Sequence, residues 1–298
     1  MSRPGSWRNA ESRAAFFFLA PGLTIIGLFF LLPVATSFFL SLTDFDIYAL
    51  ADLRNLRFVG FGNYTDLAKS ALFWKAMRNT LLYVALGAPL TVAASLFAAL
   101  LVDARAARFK GLFRTIYFAP FVTTLVAVAT VWQYLYHSRF GLVNHALGLV
   151  GIAPIDWLGD PHWAIPAIAI LSIWKNFGYN MIVFIAGLQS IPESLYEAAR
   201  LDGASAMRRF RHITLPMLGP TFLFVGIVTL ILYFQLFAEP YVMTRGGPLN
   251  ATLSLALLMY QQGFRWWTMG YAAAIAFVLF ALILAVSLLQ VVFRRKRA

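Results

Sequence analysis

Residues 269–293 read MGYAAAIAFVLFALILAVSLLQVVF, a stretch that contains no charged side chain. A helix needs about 20 such residues to cross the roughly 30 Å of hydrocarbon in a bilayer, so this stretch predicts a membrane helix. Five further apolar stretches of comparable length precede it. The sequence therefore predicts an all-α, polytopic membrane protein that forms one membrane domain over residues 1–298. Its six predicted transmembrane helices are 14–40, 77–102, 112–136, 163–188, 220–241 and 269–293.

The overall composition agrees with a chain that faces lipid rather than water. Apolar residues make up 61% of it and charged residues 12%, whereas a soluble domain carries about 25% charged residues. The absence of cysteine excludes disulfides, thiol nucleophiles and Cys-ligated metal sites. The four histidines are scattered through the loops without metal-ligand spacing, so we expect no bound metal and no cofactor.

The first apolar stretch follows a basic segment, residues 1–13, and this order also occurs in cleaved signal peptides. The apolar core of a signal peptide, however, is only about 7–15 residues long. Residues 14–40 form a longer stretch. We therefore interpret them as an uncleaved first membrane helix.

The distribution of Lys and Arg among the loops predicts the orientation, because positive charges concentrate on the cytoplasmic side. Their density in the two termini and in the second and fourth loops is about three times that in the other loops. Both termini should therefore be cytoplasmic, with the last cluster near anionic lipid. This asymmetry accounts for the net charge of +12 without a nucleic-acid partner. The cytoplasmic cations are Arg3, Arg8, Arg13, Arg105, Arg108, Lys110, Arg114, Arg200, Arg208, Arg209, Arg211, Arg294, Arg295, Lys296 and Arg297.

The fourth loop, residues 189–219, has the sequence pattern of a helix–turn–helix. Ser190 and Glu193 have the spacing of a capping box, with Pro192 in the first turn. Gly203 is placed to end this helix in a left-handed cap. A second helical piece, 204–213, is predicted to end at Pro216. Such a knob suits either an amphipathic turn on the bilayer surface or a docking element for a partner.

Polar residues within the predicted membrane helices mark a candidate solute path, because they are costly in lipid unless they are used. Ser172, Asn176 and Tyr179 share one face of the fourth helix, and Thr229 and Tyr233 share one face of the fifth. Hydroxyl, amide and aromatic groups together suit a sugar. Hydrogen bonds between helices are the alternative use of the same residues.

Two charged residues in these helices have more than one interpretation. Lys175 either contacts an anionic solute, which would favour a phosphorylated polyol such as glycerol phosphate, or has a structural partner. Glu239 at the outer end of the fifth helix is interpreted as an interfacial residue. Trp132 and Gln133 in the third helix are weaker candidates for the solute path.

The segment 197–204 reads EAARLDGA and is followed by Phe210, Ile213, Leu215 and Pro216. This pattern resembles the cytoplasmic loop of permease subunits in ABC importers. Other segments resemble the same family, and within it the carbohydrate-uptake branch and the larger maltose-transporter permease. These are 60–64 (GFGNY), Phe73-Trp74 with Asn79-Thr80, Phe113-Arg114 with Pro120, 157–161 (WLGDP), and 246–248 (GGP) with Thr252.

The resemblance implies a type I ABC importer permease fold in the bacterial or archaeal inner membrane. It implies import of a sugar or related polyol by alternating access, and a coupling helix that sits in a groove of a cytoplasmic ATPase dimer. The further partners it implies are a second permease subunit of similar fold and an extracytoplasmic solute-binding protein. The residues it assigns to ATPase coupling are Glu197, Ala198, Ala199, Arg200, Asp202 and Gly203.

The resemblance also places Ser172, Lys175, Asn176, Tyr179, Thr229 and Tyr233 at or beside the sugar-contacting positions of the family. Tyr233 stands where the family has an amide, and Asn176 where it has a small residue. These departures leave the identity of the sugar open. The chain has no phosphate-binding GxxxxGK[ST] loop, so we expect no enzyme activity of its own and ATP hydrolysis by the partner.

Two other function classes compete with an importer subunit. An ion-coupled secondary carrier would show inverted repeats and several buried carboxylates. A membrane enzyme, such as a lipid-head-group transferase, would show clustered Asp, Glu or His at the membrane face. The sequence shows neither pattern, and its 12 acidic residues do not converge.

Overall fold

The computed structural model describes residues 5–104 and 108–295. Arg3, Arg105, Lys296 and Arg297, which the orientation argument uses, lie outside the described residues. In the described part the chain is helical, with one isolated β-bridge between Thr43 and Phe58. The helices are α1 Gly5–Ile26, α2 Leu32–Ser41, α3 Ile47–Ala51, α4 Gly62–Lys69, α5 Ala71–Asp103, α6 Lys110–Val122, α7 Leu125–Leu135, α8 Leu142–Leu149, α9 Ala164–Gln189, α10 Glu193–Leu201, α11 Ala206–Arg209, α12 Leu215–Met217, α13 Gly219–Phe234, α14 Ala238–Met243, α15 Leu255–Tyr260 and α16 Met269–Arg295.

Five segments of the described chain are long and apolar enough to cross a membrane, and the pair α6 and α7 makes a sixth. This confirms the six predicted membrane helices, while their orientation stays a prediction. The five single spans are Ala14–Ser41, Ala71–Asp103, Ala164–Gln189, Gly219–Met243 and Met269–Arg294.

The third membrane helix differs from its prediction, because it is two helices that meet at an angle of 96°. Thr123 and Thr124 lie between α6 and α7 and have extended backbone conformations. The Thr123 hydroxyl donates to the carbonyl of Pro120 at 2.6 Å. Two extended residues cannot continue a helix, so the apolar stretch 112–136 folds as a broken span.

The chain forms two compact units, and the single domain predicted over residues 1–298 stays a prediction. The first unit covers residues 1–69 and 259–277. Within it, the Asn63 side chain donates at 2.8 Å to the carbonyls of both Ser41 and Thr43. Tyr64 shares a 2.8 Å hydrogen bond with the Ser41 hydroxyl. The GFGNY segment therefore closes the turn that follows α2.

The second unit covers residues 70–258 and 278–298, and its centre is the packing of α9 against α5 and α6. Small residues allow these helices to approach closely. Gly178 on α9 faces the backbone carbonyl of Tyr117 on α6, and Gly87 on α5 faces the Tyr233 ring on α13. A side chain at either glycine would collide with these groups.

We predict that Gly178→Ala destabilises the protein, because its methyl group would meet the Tyr117 backbone, which cannot rotate away. Overpacking of this kind costs about 1–3 kcal/mol. The melting temperature of the detergent-purified protein measures the loss. Gly148→Ala is the matched control, since Gly148 lies in α8 with open space around it. Equal melting temperatures for the two variants would contradict the packing described for α6 and α9.

Candidate functional site

The fourth loop carries a capped helix, α10, whose end agrees with the sequence prediction. Gly203 has a φ of +72°, the left-handed conformation that favours glycine. The Gly203 N–H donates to the Arg200 carbonyl at 3.0 Å, and the Ala204 N–H donates to the Ala199 carbonyl at 2.8 Å. These two bonds satisfy carbonyls at the helix end that would otherwise lack partners.

The start of α10 differs from the sequence prediction, and the capping box is wrong. Ser190 has a helical backbone conformation at the end of α9, so its hydroxyl donates back to the Gly187 carbonyl at 2.8 Å. Pro192 is the N-cap of α10 and leaves Glu193 inside the helix. The Glu193 carboxylate pairs with Arg200 at 2.7 Å instead of capping the backbone.

The second helical piece of the fourth loop also differs from its prediction. It begins at Ala206, with the Ser205 hydroxyl as its cap, and it does not end at Pro216. A π-helical turn at Phe210–Thr214 carries the chain into α12, where proline is tolerated in the first turn. A single turn residue, Leu218, then separates α12 from α13. The loop is thus continuous with the fifth membrane helix.

The predicted coupling residues lie on the outer surface of the loop, while its inner face is fixed to the membrane helices. Five of the predicted residues are exposed and Ala199 is half-buried. Between them Leu201 is 90% exposed. On the inner face the Tyr196 hydroxyl hydrogen-bonds Thr214 at 2.9 Å, and Tyr196 and Ile213 pack on the core around Phe184. The exposed residues are Glu197, Ala198, Arg200, Asp202 and Gly203.

A polar cluster joins α5, α9 and α13 within the membrane-spanning part. The Tyr83 hydroxyl donates to Ser172 at 2.6 Å, and the Asn180 amide donates to Thr229 at 2.9 Å. Tyr233 shares a hydrogen bond with Thr91. In this conformation Ser172, Thr229 and Tyr233 are buried and link helices, which is the alternative use that the sequence left open. Their contact with a solute stays a prediction.

Two of the predicted path residues remain partly accessible. Asn176 is half-buried and its amide donates to the Ser172 carbonyl at 2.9 Å. Tyr179 is half-buried and its ring stacks on Phe121 with the centroids 4.7 Å apart. The ring of Trp132, a weaker candidate, lies against the Trp174 ring with the centroids 5.5 Å apart. The sequence did not single out Tyr83 and Thr91, although both are polar residues in an apolar stretch.

The ammonium group of Lys175 has a structural partner. It donates to the carbonyls of Pro120, Phe121 and Thr123 at 3.1, 3.1 and 2.8 Å. An ammonium group has three N–H donors, so all of them are used. These carbonyls lie at the break after α6, where the last carbonyls of a helix lack intrahelical N–H donors and favour a cation. Of the two roles left open for Lys175, the structure supplies the structural one.

The interfacial position interpreted for Glu239 stays a prediction, while the structure shows its contacts. The helix α13 ends at Phe234, and a short break that begins at Gln235 separates it from α14 within the same candidate span, Gly219–Met243. Glu239 is half-buried in α14, and its carboxylate accepts a hydrogen bond from Ser172 at 3.4 Å. It also interacts electrostatically with Tyr83 and Lys175.

The segment after α14 is held against the start of α5. Asn79 donates to the carbonyls of Asn250 and Leu253 at 2.9 and 3.0 Å. The Leu255 N–H donates to the Thr80 hydroxyl at 3.0 Å. Thr252 hydrogen-bonds the Gly247 carbonyl at 2.8 Å. The Asn79-Thr80 and GGP segments, which are far apart in sequence, therefore form one structural element.

The chain is similar to known proteins along most of its length. A family model described as a binding-protein-dependent transport system inner membrane component matches residues 95–298. The lactose transport system permease protein LacF of Rhizobium radiobacter is 38% identical over 95% of this chain and 94% of its own. The trehalose/maltose transport system permease protein MalF of Thermococcus litoralis is 33% identical over 92% of this chain and 91% of its own.

The fold has a counterpart among solved structures. One chain of a bacterial alginate ABC transporter, crystallised with an alginate pentasaccharide-bound periplasmic protein, superposes with a TM-score of 0.79. The match covers 96% of this chain and 95% of that chain at 22% identity. At this level of identity the match describes the fold alone.

We predict that Lys175→Met loosens the break between α6 and α7, because it leaves three carbonyls without their donor. Unsatisfied buried polar groups cost about 1–3 kcal/mol each, so the melting temperature should fall clearly. The chain has no cysteine, so spin labels at Ile116→Cys and Val131→Cys report the angle between the two helices by pulsed electron resonance. The distance distribution should be narrow in the wild type and broad in the variant.

The matched control is Lys69→Met, which removes an exposed lysine outside the membrane-spanning segments. It should leave both the melting temperature and the label distances unchanged. A narrow, unshifted distribution for Lys175→Met would show that the ammonium group does not hold the break.

Proposed function

Since this chain belongs to the family of binding-protein-dependent transport system inner membrane components, we propose that it is a permease subunit of an ATP-driven sugar importer. The permease spans the inner membrane several times and moves a sugar or related polyol by alternating access. One observation carries this proposal. The predicted coupling residues lie at the surface of α10, and the opposite face of this helix is held in place by the hydrogen bond between Tyr196 and Thr214.

The connection between the fourth loop and the membrane helices supports a mechanical role. The loop joins the end of α9 to the start of α13, and these two helices carry Ser172, Asn176, Thr229 and Tyr233. A displacement of α10 is transmitted through Tyr196 to both helices. The Tyr196 hydroxyl contacts Thr214 in the loop, and Tyr196 packs on the hydrophobic core around Phe184. Rocking of one helix group against another is how a midplane site becomes accessible from one side at a time.

The proposed partners follow from two features, the absence of a phosphate-binding loop from the sequence and the exposed helix α10 in the fourth loop. Without a phosphate-binding loop in its sequence, it takes its energy from a cytoplasmic ATPase dimer that receives α10. A second permease subunit completes the membrane-spanning part, and an extracytoplasmic binding protein delivers the solute. Both termini lie in the cytoplasm, as the Lys and Arg distribution predicts.

The names of the relatives support a sugar as the solute. The two relatives described above are lactose and trehalose/maltose permeases. The hydroxyl, amide and aromatic groups of the polar cluster are those that pair with sugar hydroxyls and stack on sugar C–H faces. Asn176 and Tyr179 are its half-buried members and are the positions we expect to touch the solute first.

We predict that Gly203→Pro uncouples the transporter. Proline fixes φ near −65°, whereas Gly203 has a φ of +72°, so α10 loses its terminal cap. The ATPase rate of the complex in proteoliposomes, measured with its binding protein loaded with lactose, maltose or trehalose, should lose its stimulation by about tenfold or more. Gly203→Asn should retain most of the stimulation, because asparagine tolerates the left-handed conformation.

The alternative to this function is a secondary carrier, and the same experiment separates the two. A carrier would copurify without an ATPase and would transport equally well with Gly203→Pro. That pair of results would overturn the importer assignment.

A further inference from the structure

The Glu239 carboxylate occupies a position beside the predicted solute residues. It lies on α14 directly after the turn that ends α13, and it accepts a hydrogen bond from the Ser172 hydroxyl at 3.4 Å. Glu239 as a residue is half-buried, and the Ser172 side chain that its carboxylate contacts is fully buried, so the carboxylate borders the polar cluster.

The Glu239 carboxylate is a hydrogen-bond acceptor, and hydroxyl and aromatic groups of the polar cluster lie near it. The Tyr83 hydroxyl donates to Ser172 at 2.6 Å, and the Tyr83 and Tyr233 rings stack with centroids 4.9 Å apart. Lys175 attracts the carboxylate, but its three N–H groups are directed at the carbonyls that follow α6. Its charge therefore stabilises the helix break and leaves no donor of that ammonium group for a solute.

We propose that Glu239 is a specificity-determining residue that excludes anionic sugars, so that the solute is an uncharged sugar or an amino sugar. This inference rests on the proposed function. A carboxylate in a site of low dielectric repels a second anion much more strongly than it would in water. The hydroxyl groups of a neutral sugar can instead donate to it in charge-assisted hydrogen bonds. A phosphorylated polyol is the kind of solute that this arrangement disfavours.

The test compares the uptake of matched solutes by reconstituted transporters. The neutral sugar selected in the ATPase experiment is paired with its uronate, in which one CH2OH group on a ring is oxidised to a carboxylate, and with its 2-amino derivative. The ratio of anionic to neutral uptake is compared between variants. Because the same binding protein serves every variant, its own preference for the neutral or the anionic sugar affects each ratio equally and cancels. Glu239→Gln should raise that ratio by about tenfold or more, because it removes the charge and keeps the shape.

Two control variants separate the local charge from general effects. Glu239→Asp keeps the carboxylate and should keep the wild-type ratio within about twofold. Asp66→Asn removes an exposed carboxylate from α4 and should also leave the ratio unchanged. An unchanged ratio in Glu239→Gln, or an equal rise in Asp66→Asn, would overturn the inference.

The wild-type transporter gives a second measurement that does not depend on the folding of any variant. When uptake is divided by the loaded fraction of the binding protein, the neutral and amino sugars should enter at least tenfold faster than the uronate. Equal rates for all three would overturn the charge filter while leaving the importer function intact. Failure of the wild type to take up any neutral sugar would instead contradict the proposed function.

Discussion

The contact between the Lys175 ammonium group and three backbone carbonyls is the interaction on which the membrane-spanning part depends. No water is available inside a bilayer, so backbone groups exposed by a broken helix must find partners within the protein. Lys175 on α9 supplies these donors at the end of α6. The break can therefore persist, and α7 leaves it at 96°. On α7, Gln133 donates to the carbonyls of Val242 and Met243 on α14, the helix that carries Glu239.

A series of contacts connects Lys175, which has a structural role, to Glu239, the proposed specificity residue. Lys175 holds the break, the break directs α7, and α7 supports α14 through Gln133. The carboxylate of Glu239 is attracted in turn by the same ammonium group. A cation and an anion within one membrane cluster thus have separate tasks, since the cation is surrounded by carbonyls and the anion contacts the buried Ser172 hydroxyl. Ionisable groups at membrane depth are costly unless they are used in such ways.

The sequence predicted the membrane helices well because their signal is local: about 20 apolar residues in a row suffice. The cap at Gly203 was predictable for the same reason. The break at Thr123 and the end of α13 at Phe234 were not, because each lies inside a long apolar stretch and the polar residues there, Thr123, Thr124 and Gln235, also occur within unbroken membrane helices. The capping box at Ser190 failed because α9 extends far enough to use that hydroxyl itself. Only the fold brings Asn79 to the carbonyls of Asn250 and Leu253.

In the proposed function, the polar cluster is the path of an uncharged sugar and α10 transmits the motion of the ATPase to it. Electron cryomicroscopy of the assembled transporter, trapped with vanadate in the presence of sugar-loaded binding protein, tests this most directly. We expect sugar density within hydrogen-bonding distance of Asn176 or Glu239, and α10 seated in the ATPase with Glu197 and Leu201 in contact. Sugar density remote from α9 and α13, or a fourth loop lying on lipid without an ATPase contact, would contradict it.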